Sequence, residues 1–278
     1  MEAADSITAE LADTQRRIDR LTAERIALTV ATFAGGGRTG PTTPDTEGDK
    51  GRSGMSTRHA PGDDEAPAAT GRAFDAVLCD LDNVIRFYDT TPLAALERAA
   101  GLPEGTTADI GYAPEIDLPL LLGRITPDAW VESVAAGLTE RVGAERAHEL
   151  GRALADAPFR ADEEVVSLLR RARTHVPLVL VTNATLQLEA DLVLLGLTDL
   201  ADAVVSSAVE QVAKPDPAIY RIAAERAGVP MERCLFVDDR QENIDAAAAL
   251  GMTTALYRQP ADLRRALGPY AEKAVVAP

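Results

Sequence analysis

The stretch Val77-Leu78-Cys79-Asp80-Leu81-Asp82-Asn83-Val84-Ile85-Arg86 decides how this chain is read. An apolar run from Ala76 to Cys79 stops abruptly on Asp80, and a second carboxylate, Asp82, follows two positions later. A short apolar run with polar boundaries reads as a strand buried on both faces, as in a parallel sheet. Carboxylates at the C-terminal end of such a strand lie where open α/β sheets bind ligands. Taken alone, Asp-x-Asp reads equally well as an acidic turn. The recurrence of polar residues at the ends of later apolar runs argues for a site.

Three such ends follow. Pro177 to Val181 reads as a strand ending on Thr182-Asn183. Ala203 to Ser206 reads as a short strand, followed by a loop carrying Lys214-Pro215-Asp216-Pro217. Cys234 to Val237 reads as a strand ending on Asp238-Asp239, and Thr253 to Tyr257 as a last strand. Helical patterns run between them, over Glu163 to Arg173, Leu186 to Leu195, Ala218 to Ala227 and Asn243 to Leu250; Gly196, Gly228 and Gly251 provide stops. Alternation of this kind predicts an α/β domain, a Rossmann-like parallel sheet with helices on both faces. Residues 90–159 interrupt it. Helices are expected from Thr91 to Ala100, from Thr126 to Gly137 with Trp130 on it, and from about Ala144 to Ala155, with no strand in this helical insertion. The expected division is 74–89 with 160–278 as the core and 90–159 as the insertion.

The N-terminal region has a different character. Residues 6–30 place Ile7, Leu11, Ile18, Leu21 and Leu28 at alternating spacings of four and three, with Thr14 and Arg25 in the remaining slots. One apolar helix face follows, a short coiled-coil-like segment within residues 1–33 suited to self-association. Residues 34–73 are rich in Gly, Pro, Thr, Ser, Asp and Glu and read as a disordered linker. Met55 lies inside it. Initiation there would place residues 1–54 outside the native protein, a reading that any native peptide from that range would refute.

The 278 residues carry a formal net charge of -16, which repels polyanions; with no basic patch in sight, nucleic acid is excluded as a partner. No run approaches the roughly 20 apolar residues of a membrane span. The opening Met-Glu-Ala-Ala-Asp carries acid where a signal peptide needs base. Cys79 and Cys234 both sit in apolar runs and read as buried thiols. Together these predict a soluble cytoplasmic protein.

The polar groups make chemical sense as a set. In a parallel sheet all strand ends lie along one edge, which brings together Asp80, Asp82, Thr182, Asn183, Lys214, Asp238 and Asp239. Clustered carboxylates repel unless a cation joins them, and hard oxygen ligands suit Mg²⁺. A lysine offers a compact charge for a phosphate oxygen, and a threonine hydroxyl with backbone N–H groups can hold the others. Lys214 stands out because the chain's other lysines are just Lys50 and Lys273. Each feature also has a plain structural reading: a helix cap for Thr182-Asn183 or Asp238, a solvated charge for Lys214, a core side chain for Trp130. Arg86, Phe87 and Tyr88 fit either a lining of the entrance or a packing role.

Residues 74–258 resemble the haloacid dehalogenase-like (HAD) hydrolases. Asp80-Leu81-Asp82-Asn83-Val84, Thr182-Asn183, Lys214-Pro215-Asp216 and Val237-Asp238-Asp239 with Asn243 occur in that family's order. The resemblance implies that residues 90–159 form a small helical cap. It implies Asp80 as a nucleophile forming an aspartyl-phosphate, and Asp82 as the general acid and then base. Thr182, the backbone of Asn183 and Lys214 would hold the phosphoryl group. Mg²⁺ would be held by Asp80, the carbonyl of Asp82 and Asp239, with Asp238 close by. Dehalogenases of the superfamily lack the second aspartate, since halide leaves without a proton. Asp82 therefore favours hydrolysis of a phosphate monoester of a small metabolite. A phosphomutase would use the same site, and a non-catalytic binding or assembly protein is the alternative from another class. Asn83 departs from the glycine of many relatives.

Overall fold

The computed structural model describes residues 73–272. The expected N-terminal helix, the alternative start at Met55 and all but the last residue of the expected linker lie outside the described residues.

Strand β1 (Ala76–Cys79) is the centre of the sheet. It pairs in parallel with β4 (Leu178–Thr182) on one side and β6 (Cys234–Asp238) on the other. β5 (Ala203–Ser206) extends the sheet beyond β4, and β7 (Thr253–Leu256) beyond β6, both in parallel. All five strands therefore point one way. Every residue of β1, β4 and β6 is buried, which is why each reads as an unbroken apolar run.

The pleat divides those side chains between two cores. Val77, Cys79, Leu178, Leu180, Leu235 and Val237 face one side, where α6 (Glu163–Arg173), α7 (Leu188–Leu194) and α11 (Pro260–Leu267) pack on them. Ala76, Leu78, Val179, Val181 and Phe236 face the other, covered by α9 (Pro217–Ala227) and α10 (Gln241–Ala249). This is the expected sheet with helices on both faces. Local signals set the helix starts. Asp162 caps α6 by accepting from the N–H groups of Glu164 and Val165, and Arg170, Arg171 and Arg173 sit in its last turn against the negative end of the dipole. Both cysteines are buried free thiols. Among the described residues no helix is long and apolar enough to cross a membrane.

Between Tyr88 and Phe159 the chain leaves the sheet for five helices: α1 (Thr91–Ala99), α2 (Thr106–Gly111), α3 (Pro114–Leu121), α4 (Pro127–Val142) and α5 (Ala144–Ala155). They have a core of their own, with Leu93, Trp130, Val131, Val134, Leu138, Leu150 and Leu154 buried. α4 and α5 pack closely at Gly151, where a Cβ would stand 3.1 Å from the carbonyl oxygen of Val131. Three expectations need correction. α4 continues past Gly137 to Val142. α2 and α3 were not anticipated; each spans only one or two turns, too short for periodicity to show. The chain also enters and leaves this segment through an antiparallel ribbon, β2 (Arg86–Tyr88) against β3 (Phe159–Ala161), where no strand was expected. Three residues are too few to display alternation, and the ribbon exists only because two distant segments meet.

Glu97 illustrates how the short helices are held. It is 1% exposed, and its carboxylate accepts from the N–H groups of Gly105 and Thr107, both at 2.7 Å, closing the start of α2. Glu97→Ala orphans a buried donor at the least, at a cost of about 1–3 kcal/mol. Urea denaturation of the variant is expected to show that loss; a change below about 0.5 kcal/mol, the ordinary range for surface positions, would refute this account.

Candidate active site

The parallel sheet brings the ends of β1, β4, β5 and β6 to one edge. The register sets Cys79 beside Val237, so Asp80, the next residue, is level with Asp238, and the Asp80 N–H donates to the Val237 carbonyl at 2.9 Å. Lys214 reaches this edge from the loop after the short helix α8 (Ser207–Glu210), which follows β5. Its Nζ lies 2.7 Å from Asp80 Oδ1 and 2.7 Å from Asp238 Oδ2, fully enclosed. Burial works against the lysine's charge, but Asp80 and Asp238 hold it protonated, above its ordinary range. Burial pushes the Asp80 carboxyl up, Lys214 pulls it down, and Asp238 adds to the upward push.

The other partners sort the carboxylates by availability. Asp80 Oδ1 also accepts from the Leu81 N–H at 2.8 Å, which leaves Oδ2 without a partner among the described residues. Asp238 is the most heavily engaged of them: beside Lys214 it accepts from the Arg240 N–H at 2.8 Å and from Asn243 Nδ2 at 2.9 Å. Asp239 is half-buried; burial and the Asp238 charge push its carboxyl up, while Asn83 and Lys214 oppose. One oxygen from each of Asp80, Asp238 and Asp239 lies within 4.8 Å of the others, a spacing that fits a hard divalent cation.

Asn183 does more than expected. Its side-chain Oδ1 accepts from the Lys214 N–H at 2.8 Å and its Nδ2 donates to the Lys214 carbonyl at 3.0 Å. This amide clamp fixes the backbone that carries the lysine. Asp216 caps α9 by accepting from the Ala218 N–H at 2.8 Å, so its place in the Lys214-Pro215-Asp216 string is structural. Thr182 is fully buried, and among the described residues its hydroxyl has no hydrogen-bond partner. Thr107 Oγ1 and Trp130 Nε1 share that condition, but of the three only Thr182 stands at the strand ends.

Asp82 stands apart from the lysine cluster, at the turn made by Asn83, whose φ of 58° is left-handed. Asparagine tolerates that conformation better than most side chains. Both Asp82 oxygens are engaged by Arg86, at 2.6 and 2.9 Å. Two further groups were not anticipated. Asp191 on α7 accepts from Arg86 at 2.7 Å. Asp117 on α3 has its carboxyl pushed up to about 6 by burial, with the Arg240 charge opposing. Neither spacing nor composition marks them out. Trp130 is core, at 4% exposed.

The carboxylates and lysine gathered at this edge make it a candidate hydrolase site. A family model described as haloacid dehalogenase-like hydrolase matches residues 74–251, and the chain belongs to that family. Phosphatase MT3486 of Mycobacterium tuberculosis is 29% identical over 208 residues, 69% of this chain and 91% of that protein. The HAD family enzyme bt-2542 of Bacteroides thetaiotaomicron, solved in complex with magnesium and inorganic phosphate, superposes with a TM-score of 0.52 at 19% identity, over 66% of this chain and 94% of that one. The L-2-haloacid dehalogenase RSc1362 superposes with a TM-score of 0.51 at 24% identity, over 66% and 86%. At those identities the two structures speak for the fold alone.

Proposed function

We propose that this hydrolase cleaves a phosphate monoester of a small metabolite through an aspartyl-phosphate on Asp80. The observation that carries the reading is a pair of carboxylates in different states. Asp80 is buried with Oδ2 free, and Asp82, two residues on, is partly exposed and clear of the lysine cluster. The free oxygen attacks phosphorus, and the phosphorus–oxygen bond to the leaving group breaks. Asp82 gives its proton to the departing alkoxide. It then takes a proton from the water that splits the aspartyl-phosphate, releasing phosphate and regenerating the Asp80 carboxylate and the protonated Asp82. Lys214 balances the charge on Asp80 and the transferring group. The free Thr182 hydroxyl and the Asn183 N–H receive phosphoryl oxygens.

The carboxylate donors fit Mg²⁺, which Asp80, Asp239 and the Asp82 carbonyl would hold, with Asp238 alongside. When bound it would neutralise charge on the phosphoryl oxygens. The crystallised magnesium and phosphate complex of the bt-2542 enzyme and the named phosphatase relative are consistent with this. Residues 90–159, with their separate core, are read as a cap over the site. Self-association through residues 1–33 and a cytoplasmic location belong to the same proposal.

The expected result is turnover of p-nitrophenyl phosphate that requires Mg²⁺ and is abolished by EDTA, with no halide released from a 2-haloacid. Halide release without phosphate release would overturn the phosphatase reading in favour of a dehalogenase.

A further inference from the structure

Arg86 is 3% exposed, a costly place for a guanidinium unless carboxylates pair with it, and two do. Its Nε and Nη2 donate to the two oxygens of Asp82 at 2.6 and 2.9 Å, and its Nη1 donates to Asp191 at 2.7 Å. Its central carbon lies 5.1 Å from the ring centre of Tyr88 and 5.4 Å from that of Phe159. Burial opposes the charge, yet the Asp82 pair drives the guanidinium even further into its protonated form.

A two-point fork does what a single contact cannot. It fixes the plane of the carboxylate as well as its distance. Each Asp82 oxygen has two acceptor sites, so one on each remains after the fork is made. The parts of the clamp come from separate pieces of the fold: Arg86 and Tyr88 from β2, Phe159 from β3, Asp191 from α7. The Asp82 side chain is thus tied to the ribbon through which the chain enters and leaves the helical segment. A lysine at position 86 would keep the charge and lose the fork.

We propose that Arg86 is a positioning residue for Asp82, orienting its carboxylate for proton transfer to the leaving group. This rests on the phosphatase reading above. The test compares kcat/KM, which reports formation of the aspartyl-phosphate, for two substrates of the full chain with Mg²⁺. Nitrophenolate leaves p-nitrophenyl phosphate with little need of a proton, whereas the alkoxide of β-glycerol phosphate needs one. Arg86→Lys is expected to lower kcat/KM for the alkyl ester by ~10–100-fold more than for the aryl ester, within the range of general acid catalysis. Asp82→Asn should show the same bias, and adding Arg86→Lys to it should cost little more. A merely structural arginine would depress both substrates alike.

Equal losses on the two esters, or losses that multiply in the double variant, would overturn the assignment. Circular dichroism checks folding. Should Arg86→Lys not fold, Asp191→Ala removes the second anchor while leaving the pair with Asp82. It is expected to show the same bias at smaller size, and the absence of any bias would overturn the proposal. A wild type that turns over neither ester overturns the phosphatase reading and this assignment together. A wild type active on both, with unbiased variants, overturns this assignment alone.

Discussion

Asp80→Asn is expected to lower turnover of p-nitrophenyl phosphate by about 10⁴-fold or more, as loss of a nucleophile does in covalent catalysis. The amide matches the carboxylate in size, so the packing against β6 survives. It offers no anionic oxygen to phosphorus, and no acyl-phosphate can form on it. Lys214 keeps one buried partner, Asp238, at 2.7 Å. The fold should therefore persist, and the unfolding temperature separates a dead site from an unfolded chain. Asp82→Asn is expected to lose less, about 10²–10⁴-fold, because with this leaving group the attack stays intact and the loss falls on activation of the water that hydrolyses the intermediate. Incubation with beryllium fluoride and Mg²⁺ gives an independent reading, since only wild type should form the acyl-phosphate mimic. If Asp80→Asn keeps turnover within about tenfold of wild type, Asp80 is not the nucleophile; tenfold corresponds to about 1.4 kcal/mol, too little for a lost covalent step.

Why some of this was legible in the sequence, and some not, follows from how far each feature depends on distant chain. β1, β4 and β6 lie inside a parallel sheet with both faces covered, so they appear as short apolar runs, and their polar ends mark one edge by topology. α6 shows its apolar face at helical spacing and carries its own cap, which is why its bounds match expectation. The ribbon of β2 and β3 joins residues more than seventy positions apart and has no local signature. The same holds for Asp191, which meets Arg86 across 105 positions. The Arg86 pair with Asp82 is local, four residues apart, but it requires the left-handed turn at Asn83, which the sequence shows only as a departure from glycine. For Asn183, a backbone role was expected; its side chain proves to be committed to Lys214, a partner 31 positions away.

Lys214→Met is expected to cost about 3–5 kcal/mol of stability, as removal of one member of a buried ion pair does. The methionine stem fills most of the space, so the loss measures charge more than cavity. Lys214 is 6% exposed and joins Asp80 to Asp238, two buried carboxylates that would otherwise repel each other. Against a total stability of about 5–15 kcal/mol, such a loss brings the chain near its threshold. The pH dependence has a definite sign. Lysine pulls the Asp80 carboxyl down, while burial and Asp238 push it up. Without the lysine the upward push is unopposed, and the folded pKa lies further above the unfolded one. A group of that kind contributes stability that is complete below its unfolded pKa and is lost as pH rises through the folded value. The deficit of Lys214→Met relative to wild type should therefore be smallest in acid and widen toward pH 8, read by urea unfolding at several pH values. A loss under about 1 kcal/mol, unchanged with pH, is the size of an exposed pair and would mean that the lysine is not compensating buried carboxylates at all.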